Sequence, residues 1–400
     1  MPKQLKQSTK VGRLTVAIIS DLHCHKEKAN PDSYFVAGSL RRARGRHPVQ
    51  DVLDLIKMEK LTADSLLVGG DLTNQADQEG LSQAWESALE IGRELQCSNI
   101  IPVLGNHDIE SRRPDGASDR DPSYIARNLR PGFPFPRDED CASFFSDGFC
   151  VLPLSDQAQL VAINTVIGHL DVKSAMSGTF DMARIDALRK SLHKQLNAPI
   201  RLAMMHHHPL LHNGPFLLDR DVLPTGDALL SALKDTGCRF IIHGHKHLAR
   251  LRKMDNLTVL AAGSFSAIGN EYGKAMGNMF HIAELEPAPP SGPELRGSIK
   301  TWTYHLGTGW VTSQYKYCGF PFHTGFGAKK SAEELVKAIS KFVSSKTNKA
   351  VFDEKEVLQA APDIQFATPE EFKLLSSQLM DLKLKFYDYD DGRFHLGKVI

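Results

Sequence analysis

Five short polar signatures carry side chains that bind divalent cations: Asp21-Leu22-His23, Gly70-Asp71, Gly105-Asn106-His107-Asp108, His206-His207-His208-Pro209 and Gly244-His245-Lys246-His247. Carboxylate, amide and imidazole groups are the hard and borderline ligands that Mn, Fe and Zn accept. Two such cations held ~3.5–4 Å apart need a shared carboxylate to offset their repulsion. Asp71 suits that place, and Gly70 lets the chain turn sharply beside it. Asp21 and His23, two residues apart, would project from one side of an extended segment. His245 and His247 have the same spacing but are expected on a loop, splayed toward different cations. Asn106 offers a neutral amide oxygen. His107 is expected to give a proton to a departing alkoxide, oriented by a carboxylate such as Asp108. One such signature arises easily by chance or from turn chemistry. Five in one chain, each at the end of an apolar run, point to a two-metal site.

Side chains so far apart in sequence meet only if the elements behind them align. Residues 14–20, 65–68, 99–104, 159–164, 202–205, 239–243 and 257–262 are short runs rich in Val, Ile and Leu. They are continuous rather than alternating, as expected of strands covered on both faces. Residues 49–60, 81–95, 185–196 and 227–234 have helical spacing. The alternation implies βαβ units, with ligands gathered outside the carboxyl ends of the strands. Two long irregular stretches, 24–47 and 110–149, grow from the expected rim. Their Arg41, Arg42 and Arg112 read first as solvated surface and second as substrate contacts for phosphate. Residues 279–285, 298–305 and 311–317 read as closing antiparallel strands, with 286–297 as a loop. Ser331 to Glu334 and Thr368 to Glu371 read as capping boxes opening helices.

A chain of 400 residues exceeds the roughly 250–300 at which one core stops growing. The expected division is a catalytic domain over residues 1–325 and an extension over 326–400. A formal net charge of +1 gives no global pull toward nucleic acid or membrane. The six cysteines are scattered without a Cys-x-x-Cys pair, which argues against a zinc knuckle or a disulfide scaffold. Reduced thiols, a polar N-terminus with no apolar stretch behind it, and no run near the roughly 18 apolar residues of a membrane span make a cytoplasmic enzyme the expectation.

The five signatures and their order resemble the calcineurin-like metallophosphoesterase superfamily over roughly residues 13–320. The resemblance implies a four-layer αββα sandwich, here with a smaller α-rich C-terminal extension. It implies one metal held by Asp21, His23, Asp71 and His247, and another by Asp71, Asn106, His207 and His245. His207 is taken because it stands two before Pro209, with His206 as the alternative. The His-His-His-Pro-Leu stretch, Asp227-Ala-Leu-Leu and Leu260-Ala-Ala-Gly-Ser264 look like the class III cyclic-nucleotide phosphodiesterases. The rim insertions and the extension depart from that branch. The implied cofactors are two divalent ions (Mn, Fe or Zn), which lower the pKa of a water toward about 7 in the best zinc sites. The leading expectation is a phosphodiesterase acting on a small diester such as a cyclic nucleotide. A nuclease acting on DNA or RNA is the competitor, favoured by the arginine-bearing insertions. A scaffold or complex subunit, with the extension docking a protein partner, is a third reading.

Overall fold

A computed structural model describes residues 12–26, 32–38, 45–111, 121–129, 132–169, 171–195, 198–211, 221–268, 277–288, 295–314, 320–388 and 394–399. Arg41, Arg42 and Arg112 lie outside the described residues.

The first sheet contains β1 (Leu14–Ile19), β2 (Ser65–Val68), β3 (Asn99–Pro102), β10 (Asn278–Pro287), β11 (Leu295–His305), β12 (Gly309–Thr312) and β13 (His323–Phe326). Its order is β12-β11-β10-β1-β2-β3, with β13 beside β11. The second contains β4 (Phe149–Ser155), β5 (Ala158–Ile163), β6 (Ile200–Met204), β7 (Phe240–His243), β8 (Ala249–Met254) and β9 (Leu257–Ala262), in the order β4-β5-β6-β7-β9-β8. Both sheets are mixed. β1, β2 and β3 run parallel, as do β5, β6, β7 and β9.

Strand periodicity builds the layers. In β6, Leu202 and Met204 enter the core shared with Val16, Ile18 and Phe280 of the first sheet. Ala203 and Met205 instead join Ile185, Leu188, Leu229 and Leu233 of two covering helices, Met182–Lys194 and Gly226–Asp235. Helices Pro48–Glu59 and Gln78–Glu94 cover the first sheet, burying Val52, Ile56, Trp85 and Ile91. The expected αββα sandwich is therefore observed. Among the described residues no helix is long and apolar enough to cross a membrane.

Several differences from the expectations concern β-structure, among them the strands β4, β8 and β13, which the sequence runs did not include. Residues 286–297 are not all loop, because the β10–β11 pairing continues to Pro287↔Leu295. The extension is helical, with Ala332–Ser344, Glu354–Ala360 and Pro369–Asp381, but it also holds a small sheet. That sheet has the order β14-β16-β15, from β14 (Val351–Asp353), β15 (Leu384–Asp388) and β16 (Phe394–Lys398). Both expected capping boxes form, at Ser331 and Thr368, and a third forms at Asp353. Leu335, Ile339, Phe352, Leu375, Leu379 and Leu396 give this part its own core.

Candidate metal centre

Parallel register brings the signatures together. β1 and β2 end side by side at Ile19↔Val68, and Asp21 N donates to Gly70 O at 2.9 Å. β6 and β7 do likewise, with Gly244 N donating to His206 O at 3.0 Å. Phe265 N donates to Ser20 O at 2.7 Å, joining the segment after β9 to the segment after β1. The backbone leaving these strands is not extended. Asp21 (φ 54°), His23 (47°), Asp71 (50°), His245 (81°) and His247 (55°) all lie in the left-handed region. That region is costly for residues with a side chain and is concentrated at functional sites. Asp21 and His23 thus converge through tight left-handed turns, not through the extended spacing expected from the sequence.

The side chains form one connected cluster. His23 Nε2 lies 2.9 Å from His247 Nε2, 3.7 Å from Asp71 Oδ2 and 3.9 Å from Asp21 Oδ1. Asp21 Oδ1 lies 3.4 Å from His247 Nε2. Asp71 Oδ2 lies 3.2 Å from His206 Nε2, and Asp71 Oδ1 accepts from His107 N at 2.7 Å. His245 Nδ1 lies 3.0 Å from Asn106 Oδ1, while its Nε2 is bound by Met176 O at 2.7 Å. Donor atoms of Asp21, His23 and His247 gather within 4.8 Å of one another, as do those of Asp71, His206 and His245. Asp71 also joins His23 and His107 in a third such group.

The structure corrects the choice within the histidine run. His207 packs against the His245 ring, but both its nitrogens are engaged outside the cluster: its Nδ1 lies 2.8 Å from Thr165 Oγ1 and its Nε2 3.1 Å from Ala175 O. His206 occupies the inner place, anchored through Nδ1 to Gly69 O at 2.8 Å, with Nε2 turned to Asp71. Asp108 is also corrected. Its buried carboxylate accepts from Thr73 N at 2.9 Å and Gly105 N at 2.8 Å, so it braces the turn rather than orienting His107. The orienting group is Asn74, whose Oδ1 lies 2.8 Å from His107 Nδ1. Asn74 Nδ2 donates to Asp32 Oδ2 at 2.6 Å, which fixes the amide's direction. Asn74 stands three residues after Asp71, and that spacing was the one sequence signal for it.

Electrostatics fit a cation site. Burial raises the Asp71 carboxyl, yet His206 and His107 hold it well below its usual range. Burial raises Asp21 too, and His247 together with His206 outweighs it. His206 feels the opposite balance: burial lowers it, but Asp71 pushes it up to about 9. His23 is driven down to about 3 by burial and by His107 beside it. Buried carboxylates need a compensating positive charge. His206 Nε2 is buried without a hydrogen bond, and imidazole and carboxylate donors converge around it. Mn, Fe or Zn ions satisfy such a donor set.

The family model described as Calcineurin-like phosphoesterase matches residues 14–249, and one described as wHTH-Calcineurin_assc matches residues 324–381. No curated protein matches the chain. Among solved structures, the purple acid phosphatase PPD1 from yellow lupin shares 13% identity at a TM-score of 0.47, over 74% of this chain and 52% of that one. A Staphylococcus aureus protein assigned provisionally as a 5′-nucleotidase shares 12% identity at a TM-score of 0.41, over 69% of this chain and 51% of that one. GAP50 of Plasmodium shares 13% identity at a TM-score of 0.40, over 74% and 90%. The chain thus spans about half the length of the first two. With more than half its length matched by the family model, and the five signatures gathered at one rim, the chain belongs to the calcineurin-like phosphoesterases.

Proposed function

We propose that the chain is a phosphodiesterase with a dinuclear metal centre, and that its substrate is a small diester such as a cyclic nucleotide. The observation that carries this reading is Asp71, shared between one group with His23 and another with His206 and His245. Asp21, His23, Asp71 and His247 would hold one ion, and Asp71, Asn106, His206 and His245 the other. Bound ions would lower the pKa of a water and offset charge on the phosphoryl oxygens. His107 shares one group with His23 and Asp71, and its Nδ1 is engaged by Asn74. In this reading its Nε2 protonates the leaving oxygen. Among the described residues, Cys24, Cys97, Cys150 and Cys238 are free thiols, which supports a cytoplasmic location.

The nuclease reading gains from the winged-helix match over residues 324–381. Against it, the last helix of that unit, Pro369–Asp381, carries Glu370, Glu371 and Asp381 against Lys373 alone. A helix entering a DNA groove is expected to be basic. The test is Mn²⁺-loaded protein on bis(p-nitrophenyl) phosphate, cyclic AMP and single-stranded and duplex oligonucleotides. Hydrolysis of the small diesters is expected, with none in Asp71→Asn. His107→Ala should cut kcat by roughly 10²–10⁴ while metal stays bound. Preferential cleavage of oligonucleotides would overturn the small-diester assignment, and full activity in Asp71→Asn would overturn the centre.

A further inference from the structure

Lys246 stands between the two histidines of the fifth signature, yet its side chain turns away from the centre into the protein. It is 5% exposed, and its Nζ donates to the carboxylate of Asp221, itself 6% exposed. The segment that Asp221 opens is tied to the loop carrying His206. Leu223 N donates to His208 O at 3.1 Å, and Gly226 N donates to Leu223 O at 2.8 Å. Gly226 lies so close to Pro209 that a Cβ there would press into the Pro209 backbone. The ion pair therefore crosslinks the loop after β6, which carries His206, to the loop after β7, which carries His245 and His247. Both of the latter residues hold left-handed backbone, at φ 81° and 55°, a conformation that persists only where the surroundings enforce it. A buried ion pair contributes little net stability over an apolar pair of similar volume, so stability does not account for it.

We infer that Lys246 and Asp221 are positioning residues that set the metal affinity of the centre by fixing the His245–His247 turn against His206. The inference rests on the dinuclear reading above. It is tested by Mn²⁺ titration calorimetry and by thermal melting of metal-free protein, on wild type, Asp221→Glu and the double variant Lys246→Met/Asp221→Leu. The double variant leaves no unpaired buried charge. It is expected to melt near wild type without metal, but to bind Mn²⁺ roughly 10–100-fold more weakly, as when outer partners of metal ligands are lost. Its activity should recover at saturating Mn²⁺. Asp221→Glu, which keeps the charge but displaces it, should fall between. Wild-type Mn²⁺ affinity in the double variant would overturn the inference. So would a double variant that melts much lower while Asp221→Glu binds as wild type, because the pair would then be structural only. A wild-type protein that binds no Mn²⁺ would instead overturn the dinuclear reading, an outcome read separately.

Discussion

His206 and His207 differ by one position, yet their ring nitrogens have different partners. The sequence alone offered three consecutive histidines and a proline, and counting back from Pro209 selected the wrong ring. Counting forward from β6 selects the right one. Leu202 and Met204 face the core between the sheets, Ala203 and Met205 face the covering helices, and His206 continues the inner parity. The two substitutions should therefore separate. His206→Ala is expected to weaken Mn²⁺ binding beyond the roughly 10–100-fold typical of outer partners. His207→Ala should bind metal far better than that and chiefly lose stability, by about 1–3 kcal/mol for its lost buried hydrogen bonds. Calorimetric titration and melting of both variants check this, and equal metal affinities would refute it. His281 supplies a prediction away from the centre. Its ring is bound by Thr301 Oγ1 at 2.8 Å and Ala262 O at 2.6 Å, and burial lowers it to about 4 from 6.5. The unfolded chain takes up this proton below pH 6.5 while the folded chain refuses it until about 4. Stability from this group is thus fully present above 6.5 and is lost as pH falls toward 4, with a slope of at most about 1.4 kcal/mol per pH unit. Urea unfolding of metal-free protein from pH 4 to 7 should show the decline, and His281→Asn should flatten it by up to one proton's worth.

Strands buried on both faces were legible because burial writes itself as continuous Val, Ile and Leu. The strands that escaped notice in the second sheet, β4 and β8, are its two edges. β4 contains Pro153, and β8 reads Ala-Arg-Leu-Arg-Lys-Met. Proline and charge are what sheet edges tolerate or require, and both make a run look like loop. β15 and β16 were hidden differently: they form a short hairpin whose pattern cannot be told from a helix end without its partner strand. The turns that deliver the candidate ligands were visible as Gly-bearing signatures, but their reason was not. A side chain on Gly105 would enter the carboxylate of Asp71, and one on Gly244 would meet Asp21 and Ser20 Oγ. These glycines are needed for close approach to the carboxylates. Gly105→Ala is expected to keep native secondary structure and to lose Mn²⁺ binding and diesterase activity together. Circular dichroism with metal titration reads both, and a Gly105→Ala protein with wild-type metal affinity would refute this account of the turn.

At the scale of the molecule, the described residues form two cores in the sandwich and a third wholly within residues 335–396. The change of texture beyond residue 327 was legible, because both capping boxes stand in the sequence with their acidic partners three residues on. How the winged unit seats on the sandwich was not legible, because it depends on backbone and ring contacts that have no pattern. Gly325 N donates to Ala367 O at 3.0 Å, and Ala328 N donates to Phe366 O at 3.1 Å. The Arg296 guanidinium lies 4.3 Å from the centre of the Phe366 ring, and Lys253 pairs with Glu371 at 2.7 Å. The last pair is partly exposed and contributes little, on the order of 0–1 kcal/mol. The Phe366 ring, buried and under a cation, is therefore a stronger side-chain coupling between the parts than that pair. Phe366→Ala should remove it while leaving Leu335, Ile339, Leu375 and Leu379 in place. Scanning calorimetry should then resolve a separate, lower transition for the winged unit, with the sandwich and its Mn²⁺ affinity retained. Lys253→Ala should leave the melting profile within about 1 kcal/mol of wild type. If Phe366→Ala instead lowers one undivided transition, the two parts unfold as a single cooperative unit, and the third core does not stand by itself.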